Sequence, residues 1–258
     1  THVKQLVLIG GLPGGGKTHF VESLIRPTSI EWFYIHIKFD LLQSQPLSVV
    51  MSSFDTFFTQ ILTSRNEQEY VAGISAPLQR SLSSSAVVSL CDLIPSLRIL
   101  FPNILRRVVS DEDLSVQTRR HTDDEFASTS QMSRMRVHML LRRLISAVCS
   151  VDRPLVLFFD DLQWADDRSM ELLYALMERD HVQELDDNNA THCLFVGSYR
   201  SNETNNNLRS YFDIFEHSTS VDVTKIHLGG LTRADCNTMI SEVLHLPTRL
   251  TSPLNDLV

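Results

Sequence analysis

Near the start of the chain, Gly11-Leu12-Pro13-Gly14-Gly15-Gly16-Lys17-Thr18 fits the pattern G-x-x-x-x-G-K-[ST]. Its chemistry is phosphate binding. Glycines let the backbone curl so that successive N–H groups point at one anion. A helix beginning near Lys17 adds the positive end of its dipole to the same place. The Lys17 ammonium can reach the β- and γ-phosphates, and the Thr18 hydroxyl can ligate Mg²⁺. His19 follows at once and is counted with the loop as nucleotide-binding. The competing reading, a glycine turn that happens to carry Lys-Thr, is disfavoured by context: an apolar strand precedes the loop and an amphipathic helix follows it.

A second group of chemical residues lies far along the chain. Leu155-Val156-Leu157-Phe158-Phe159 is the most apolar run and ends on Asp160-Asp161. A buried strand that delivers a carboxylate to its C-terminal edge is the Walker-B pattern, and ligands of open α/β sheets bind at that edge. Asp160 is therefore expected to hold Mg²⁺ opposite Thr18. Asp161 stands where many ATPases carry a Glu that activates the attacking water. Being one methylene shorter, it would polarise water slowly or mainly sense the γ-phosphate, which argues for a switch more than a fast motor. Arg200 follows the strand ending at Tyr199. Without context it reads as a solvated loop arginine; from a strand end beside the Asp160 strand, its guanidinium could touch the γ-phosphate.

These residues need elements to position them. Leu6–Ile9, Phe33–Phe39, Leu155–Phe159, Cys193–Tyr199 and Val221–Leu228 read as strands from their apolar or branched runs. Helical periodicity runs from Lys17 to about Ile25, stopped by Pro27, and from Pro46 to about Leu62. A less defined helical stretch covers about Glu67 to Leu97. Residues 103–130 are polar and lack apolar periodicity, so a long exposed insertion is expected there. Helix resumes near Gln131, with Val137, Leu141, Leu144 and Val148 as one stripe, and ends before Pro154. Another helix follows, capped by Asp166 or Asp167. Residues 201–210 read as an Asn-rich loop, and Thr232 caps a last helix to about Leu244. Strands alternating with helices predict an α/β fold with a mostly parallel sheet covered on both faces.

Composition bounds the remaining options. The chain has 258 residues, 43% of them hydrophobic, enough for one large core. A net charge of −8 disfavours a surface devoted to nucleic acid, which needs a basic stripe. Cys91, Cys149, Cys193 and Cys236 are scattered, with no metal-ligand spacing, as in a reducing compartment. Asn189-Ala190-Thr191 and Asn202-Glu203-Thr204 match the glycosylation sequon, which matters only in a secreted protein. No apolar stretch is long enough to span a bilayer, and the chain begins at Thr1. A cytoplasmic piece of a longer protein is expected.

Leu155 to Asp166, which reads Leu-Val-Leu-Phe-Phe-Asp-Asp-Leu-Gln-Trp-Ala-Asp, resembles the extended Walker-B segment of the STAND signalling ATPases. These are AAA-related P-loop NTPases close to origin-recognition-like ATPase domains. Lys38-Phe39-Asp40, Gly197-Ser198-Tyr199-Arg200-Ser201-Asn202-Glu203 and Leu228-Gly229-Gly230-Leu231 are similar to the same family, in the same order. The resemblance spans nearly the whole chain, and the Asp160–Asp166 stretch is its most specific part. It implies a three-layer, five-stranded P-loop core over residues 1–258 with a helical insertion after the second strand. It also implies an ATP/ADP switch with Mg²⁺, and Arg200 as its sensor. Relatives sit beside kinase or nucleotide cyclase domains and often self-associate when ATP-bound. Gly14-Gly15-Gly16 is richer in glycine than the usual loop. Family members continue into a helical lid with a Gly-x-Pro motif, and no Gly-x-Pro occurs between Leu228 and Val258.

Three alternatives stand beside the switch. A P-loop phosphotransferase would use Arg106, Arg107, Arg119 and Arg120 as a lid over phosphates, although a solvated insertion is the simpler reading of those arginines. A nucleic-acid-remodelling ATPase conflicts with the acidic charge. A module that binds nucleotide only to stay folded is not separable from the switch on sequence. No Asn-Lys-x-Asp motif specifies guanine, so adenine rests on the resemblance.

Overall fold

The computed structural model describes residues 3–25, 32–41, 45, 47–63, 68–104, 106, 126–149, 154–178 and 192–253. Among the described residues there are five strands: β1 (Lys4–Gly11), β2 (Phe33–Lys38), β3 (Leu155–Asp160), β4 (Cys193–Arg200) and β5 (Val221–Leu228). They form one sheet in the order β2-β3-β4-β1-β5. Every pairing is parallel, so the mostly parallel sheet expected from the sequence is parallel throughout.

All six residues of β3 are buried, because the strand lies between β2 and β4 and both its faces are covered. Alternation divides them: Leu155, Leu157 and Phe159 join the larger core, and Val156 and Phe158 the smaller one on the opposite face. Burying each such side chain contributes about 1.5–3 kcal/mol. This fixes Asp160 at the end of a rigid strand.

The smaller core also holds Ile9 and Val21, which binds α1 (Lys17–Ile25) to the sheet directly behind the phosphate loop. The larger core is built with the insertion after β2: α2 (Ser48–Thr63), α3 (Gln68–Ser81), α4 (Ser84–Leu93), a 3₁₀ segment at Pro95–Leu100, and α5 (Phe126–Val148). Phe54, Phe57 and Phe58 of α2 supply its aromatic side, with Ile61 buried beside them. Leu141, Leu144 and Val148 are buried on α5 as the periodicity requires, with Val137 half-buried at its edge.

The remaining helices are α6 (Asp167–Met177), α7 (Asn206–His217), α8 (Arg233–Leu244) and α9 (Thr248–Thr251). Asp166, not Asp167, caps α6, accepting from Ser169 N at 3.0 Å. Thr232 caps α8 in a full capping box with Asp235.

Two expectations are corrected. Residues 206–210 are helical rather than loop: Asn205 accepts from Leu208 N at 2.7 Å, and Leu208, Phe212 and Phe215 make a buried i, i+4, i+7 stripe. The Asn-rich segment is a cap and a first turn, and its only apolar side chain there is Leu208. Helix α5 begins at Phe126, not near Gln131; propagation adds one bond per residue ordered and needs no apolar stripe. The rest of the proposed insertion at 107–125, with Arg107, Arg119, Arg120, Pro27 and the Asn189 sequon, lies outside the described residues. Arg106 is described and exposed.

Among the described residues, no helix is long and apolar enough to cross a membrane. Cys91, Cys149 and Cys193 are buried free thiols, and Cys236 is half-buried and free. Burial pushes the Cys91 thiol up to about 11.

Candidate nucleotide site

Parallel register brings the chemical residues to one edge of the sheet. Gly11 at the end of β1 pairs with Arg200 at the end of β4, and Phe159 of β3 pairs with Gly197 of β4. The C-terminal ends of β1, β4 and β3 therefore lie side by side, with β4 between the phosphate loop and Asp160.

Gly14 and Gly16 adopt φ of +75° and +78°. An added Cβ at either would meet no atom within 4 Å, so the dihedral and not the space demands glycine. The loop closes on itself where Gly15 N donates to Leu12 O at 3.1 Å, and helix α1 starts where Phe20 N donates to Gly16 O at 2.8 Å. Lys17 is buried beneath this arc. Its Nζ donates to Gly11 O at 3.2 Å and Leu12 O at 2.8 Å. Burial lowers its pKa from the ordinary lysine value, opposed chiefly by the nearby Asp161 carboxylate. His19 is exposed, and no hydrogen bond joins its side chain to the loop or to Asp160 among the described residues.

Asp160 is 1% exposed and carries three side-chain hydrogen bonds. Thr18 Oγ1 donates to Oδ2 at 2.9 Å, His36 Nε2 lies 3.2 Å from the same oxygen, and Ser198 Oγ donates to Oδ1 at 2.5 Å. Burial pushes the Asp160 pKa up, but the His36, Ser198 and Thr18 contacts together outweigh it and hold the carboxyl below its ordinary value. An ionised carboxylate beside a threonine hydroxyl, both aimed at the mouth of a phosphate loop, is the oxygen pair that suits a hard divalent cation.

Asp161 turns sharply out of the strand. Its backbone is left-handed, at φ 61° and ψ 50°, which is uncommon for a residue with a side chain. Its N–H donates to Ser198 Oγ at 3.1 Å, and its Oδ1 accepts from Gln163 Nε2 at 2.7 Å. The Arg200 guanidinium stands nearby, with Nε 3.5 Å from Asp161 Oδ1 and Nη1 3.0 Å from Glu203 Oε1. It also lies over the Trp164 ring at 5.7 Å. The Glu203 hydrogen bond is the main cause that raises the Arg200 pKa above its usual value.

Thus Lys17, Thr18, Asp160, Asp161 and Arg200 share one edge, and His19 stands apart from the Asp160 contacts. Four further residues contact the site without a role assigned from sequence: His36, and Ser198, Gln163 and Glu203 from the family-like segments. A polar residue towards the C-terminal end of a strand is the signal for His36, between buried Ile35 and Ile37, and for Ser198, in the buried part of β4. Reading it requires knowing that β2 and β4 flank β3, and strand order is not written in periodicity. Gly197 also has a steric role, since a Cβ there would come within 2.6 Å of Leu162 Cδ1. That approach seats the Leu162–Trp164 3₁₀ turn against β4.

The hybrid signal transduction histidine kinase G of Dictyostelium discoideum is 25% identical over 176 residues, which is 68% of this chain and 4% of that protein. The chain thus spans a small fraction of the length of this relative. Among solved structures, the bacterial conjugative coupling protein TrwBdeltaN70, in its unbound monoclinic form, aligns over 92% of this chain and 72% of its own. Its TM-score is 0.26 and its identity 12%. The AAA ATPase domain family matches residues 1–185. That span takes in both the loop at Gly11 and the carboxylate at Asp160, and this chain belongs to the AAA ATPase domain family.

Proposed function

We propose that this chain is the ATP-holding core of a STAND-class signalling switch, with slow Mg²⁺-dependent hydrolysis that returns it to an ADP state. The observation that carries this reading is the contact between Thr18 Oγ1 and Asp160 Oδ2 at 2.9 Å, which joins phosphate loop and carboxylate strand into one site. Gly11, Leu12, Pro13, Gly14, Gly15, Gly16, Lys17, Thr18 and His19 hold the nucleotide. Thr18 and Asp160 hold Mg²⁺, which when bound neutralises charge on the β- and γ-phosphates.

Lys17 exchanges its carbonyl contacts for phosphate oxygens. Asp161 orients or deprotonates the attacking water, and its short side chain keeps turnover slow. Arg200 senses the γ-phosphate, which requires it to leave Glu203 for a stronger anion. Residues 1–258 act as one core with the 103–130 insertion. The effector is a kinase or cyclase domain of a longer, cytoplasmic parent chain; the matched relative is named as a hybrid histidine kinase. Self-association in the ATP state completes the switch.

Phosphate release from ATP without any acceptor tests this reading. A slow, Mg²⁺-dependent rate that falls in Asp161→Asn is expected. Phosphate appearing only when an acceptor is supplied would instead make the chain a phosphotransferase, and an unchanged rate in Asp161→Asn would remove the role given to Asp161.

A further inference from the structure

The side chain of Gln163 links the two residues at the reacting end of the site. Its Nε2 donates to Asp161 Oδ1 at 2.7 Å, and its Oε1 accepts from Arg200 N at 3.0 Å. Gln163 is only 5% exposed, so neither bond is shared with bulk water and each is costly to leave unmade. Both ends of the amide are used in the one orientation that satisfies them, donor towards the carboxylate and acceptor towards the strand N–H. Asp161 meanwhile sits in a left-handed conformation that costs energy unless its surroundings over-determine it. Its N–H is held by Ser198 and its carboxylate by Gln163.

We infer that Gln163 is a positioning residue for hydrolysis: it fixes the Asp161 carboxylate relative to the end of β4, and so sets the distance between Asp161 and Arg200. This rests on the hydrolytic reading of the site. Gln163 acts through Asp161 and through the backbone that carries Arg200. Displacing a reacting group by about 1 Å costs about 100-fold in rate, so the loss of a single amide contact has a measurable consequence.

Steady-state ATP hydrolysis on Gln163→Met and Gln163→Glu tests the inference, each made alone and with Asp161→Asn. Methionine keeps the shape and loses both bonds. Glutamate keeps the acceptor for Arg200 N–H and replaces the donor with a second carboxylate, so it serves if methionine does not fold. A fall of roughly 10- to 100-fold in kcat is expected for each, with KM for ATP within about twofold. In the Asp161→Asn background neither substitution should lower kcat further, since the residue being positioned has already lost its function. An unchanged kcat, a parallel loss of kcat, KM and thermal midpoint, or an equal cost with and without Asp161→Asn would overturn it. Wild-type protein that binds MgATP and releases no phosphate would also overturn it, while leaving nucleotide binding intact. Wild-type protein that binds no nucleotide would instead defeat the functional reading itself.

Discussion

Thr18 and Asp160 are 142 residues apart in the chain and 2.9 Å apart in space, with the Thr18 hydroxyl donating to the carboxylate. Each residue comes from a rigid element, Thr18 from the first turn of α1 and Asp160 from the last position of β3. A divalent cation placed between them would find a carboxylate already ionised. Asp160→Asn is therefore expected to abolish the gain in ATP affinity that Mg²⁺ provides, and to leave ADP binding without metal nearly unchanged. Calorimetric titration with and without Mg²⁺ measures both. Loss of a charge-assisted contact worth about 1.5–3 kcal/mol corresponds to roughly 10- to 150-fold in Kd.

His36 stacks on Phe158, with ring centroids 4.9 Å apart, and reaches Asp160 through Nε2. His36→Phe keeps the stacking and removes the hydrogen bond. Asp160 is then expected to titrate at a higher pH. A carboxyl whose folded pKa lies below its unfolded value stabilises the fold above the unfolded pKa, and that stability is lost as pH falls through the folded pKa. Raising the folded pKa therefore moves acid unfolding and the acid loss of Mg²⁺-dependent ATP affinity to higher pH. A pH series of both quantities shows whether His36 supports the charge on Asp160; a shift to lower pH would contradict it.

Gly197 has Leu162 Cδ1 on one side and Leu8 Cδ2 on the other, 2.6 and 3.0 Å from where a Cβ would stand. Gly197→Ala overpacks this junction and is expected to destabilise the protein by about 1–3 kcal/mol. It also pushes the 3₁₀ turn that carries Gln163 away from β4. Chemical denaturation checks the first effect. A drop in kcat at saturating ATP, under conditions where the variant is fully folded, checks the second.

Helix α7 depends on its cap. Asn205→Ala removes the acceptor for Leu208 N and is expected to cost about 1 kcal/mol, readable as a lower denaturation midpoint. Because Phe212 packs on Tyr199 at 4.9 Å, the loss extends to the strand that ends in Arg200.

Much of this arrangement is legible in the sequence for physical reasons. The phosphate loop is local: its glycines, lysine and threonine are consecutive, and the dihedrals at Gly14 and Gly16 follow from residue type. β3 is legible because a strand buried on both faces must be apolar throughout. Helix α7 is hidden because its first turn is polar and its cap residue is also a turn residue, so composition pointed to a loop while Leu208, Phe212 and Phe215 carried the helix. The partners of Asp160 are hidden for a different reason. His36 and Ser198 belong to β2 and β4, and only the strand order, set by tertiary packing, places both beside β3. Gln163 is legible as part of a family-like segment, yet its two bonds depend on a left-handed turn at Asp161 that no periodicity signals.

Titration of the wild-type chain and of Lys17→Ala with ATP in the presence of Mg²⁺ tests the central claim most directly. Lys17 is buried under the loop, where its ammonium is the fixed positive charge closest to the loop carbonyls of Gly11 and Leu12. Micromolar binding by the wild type and loss of that binding in a folded Lys17→Ala protein is the expected result. Wild-type protein that binds no nucleotide, or a Lys17→Ala variant that binds as tightly as the wild type, would contradict the account.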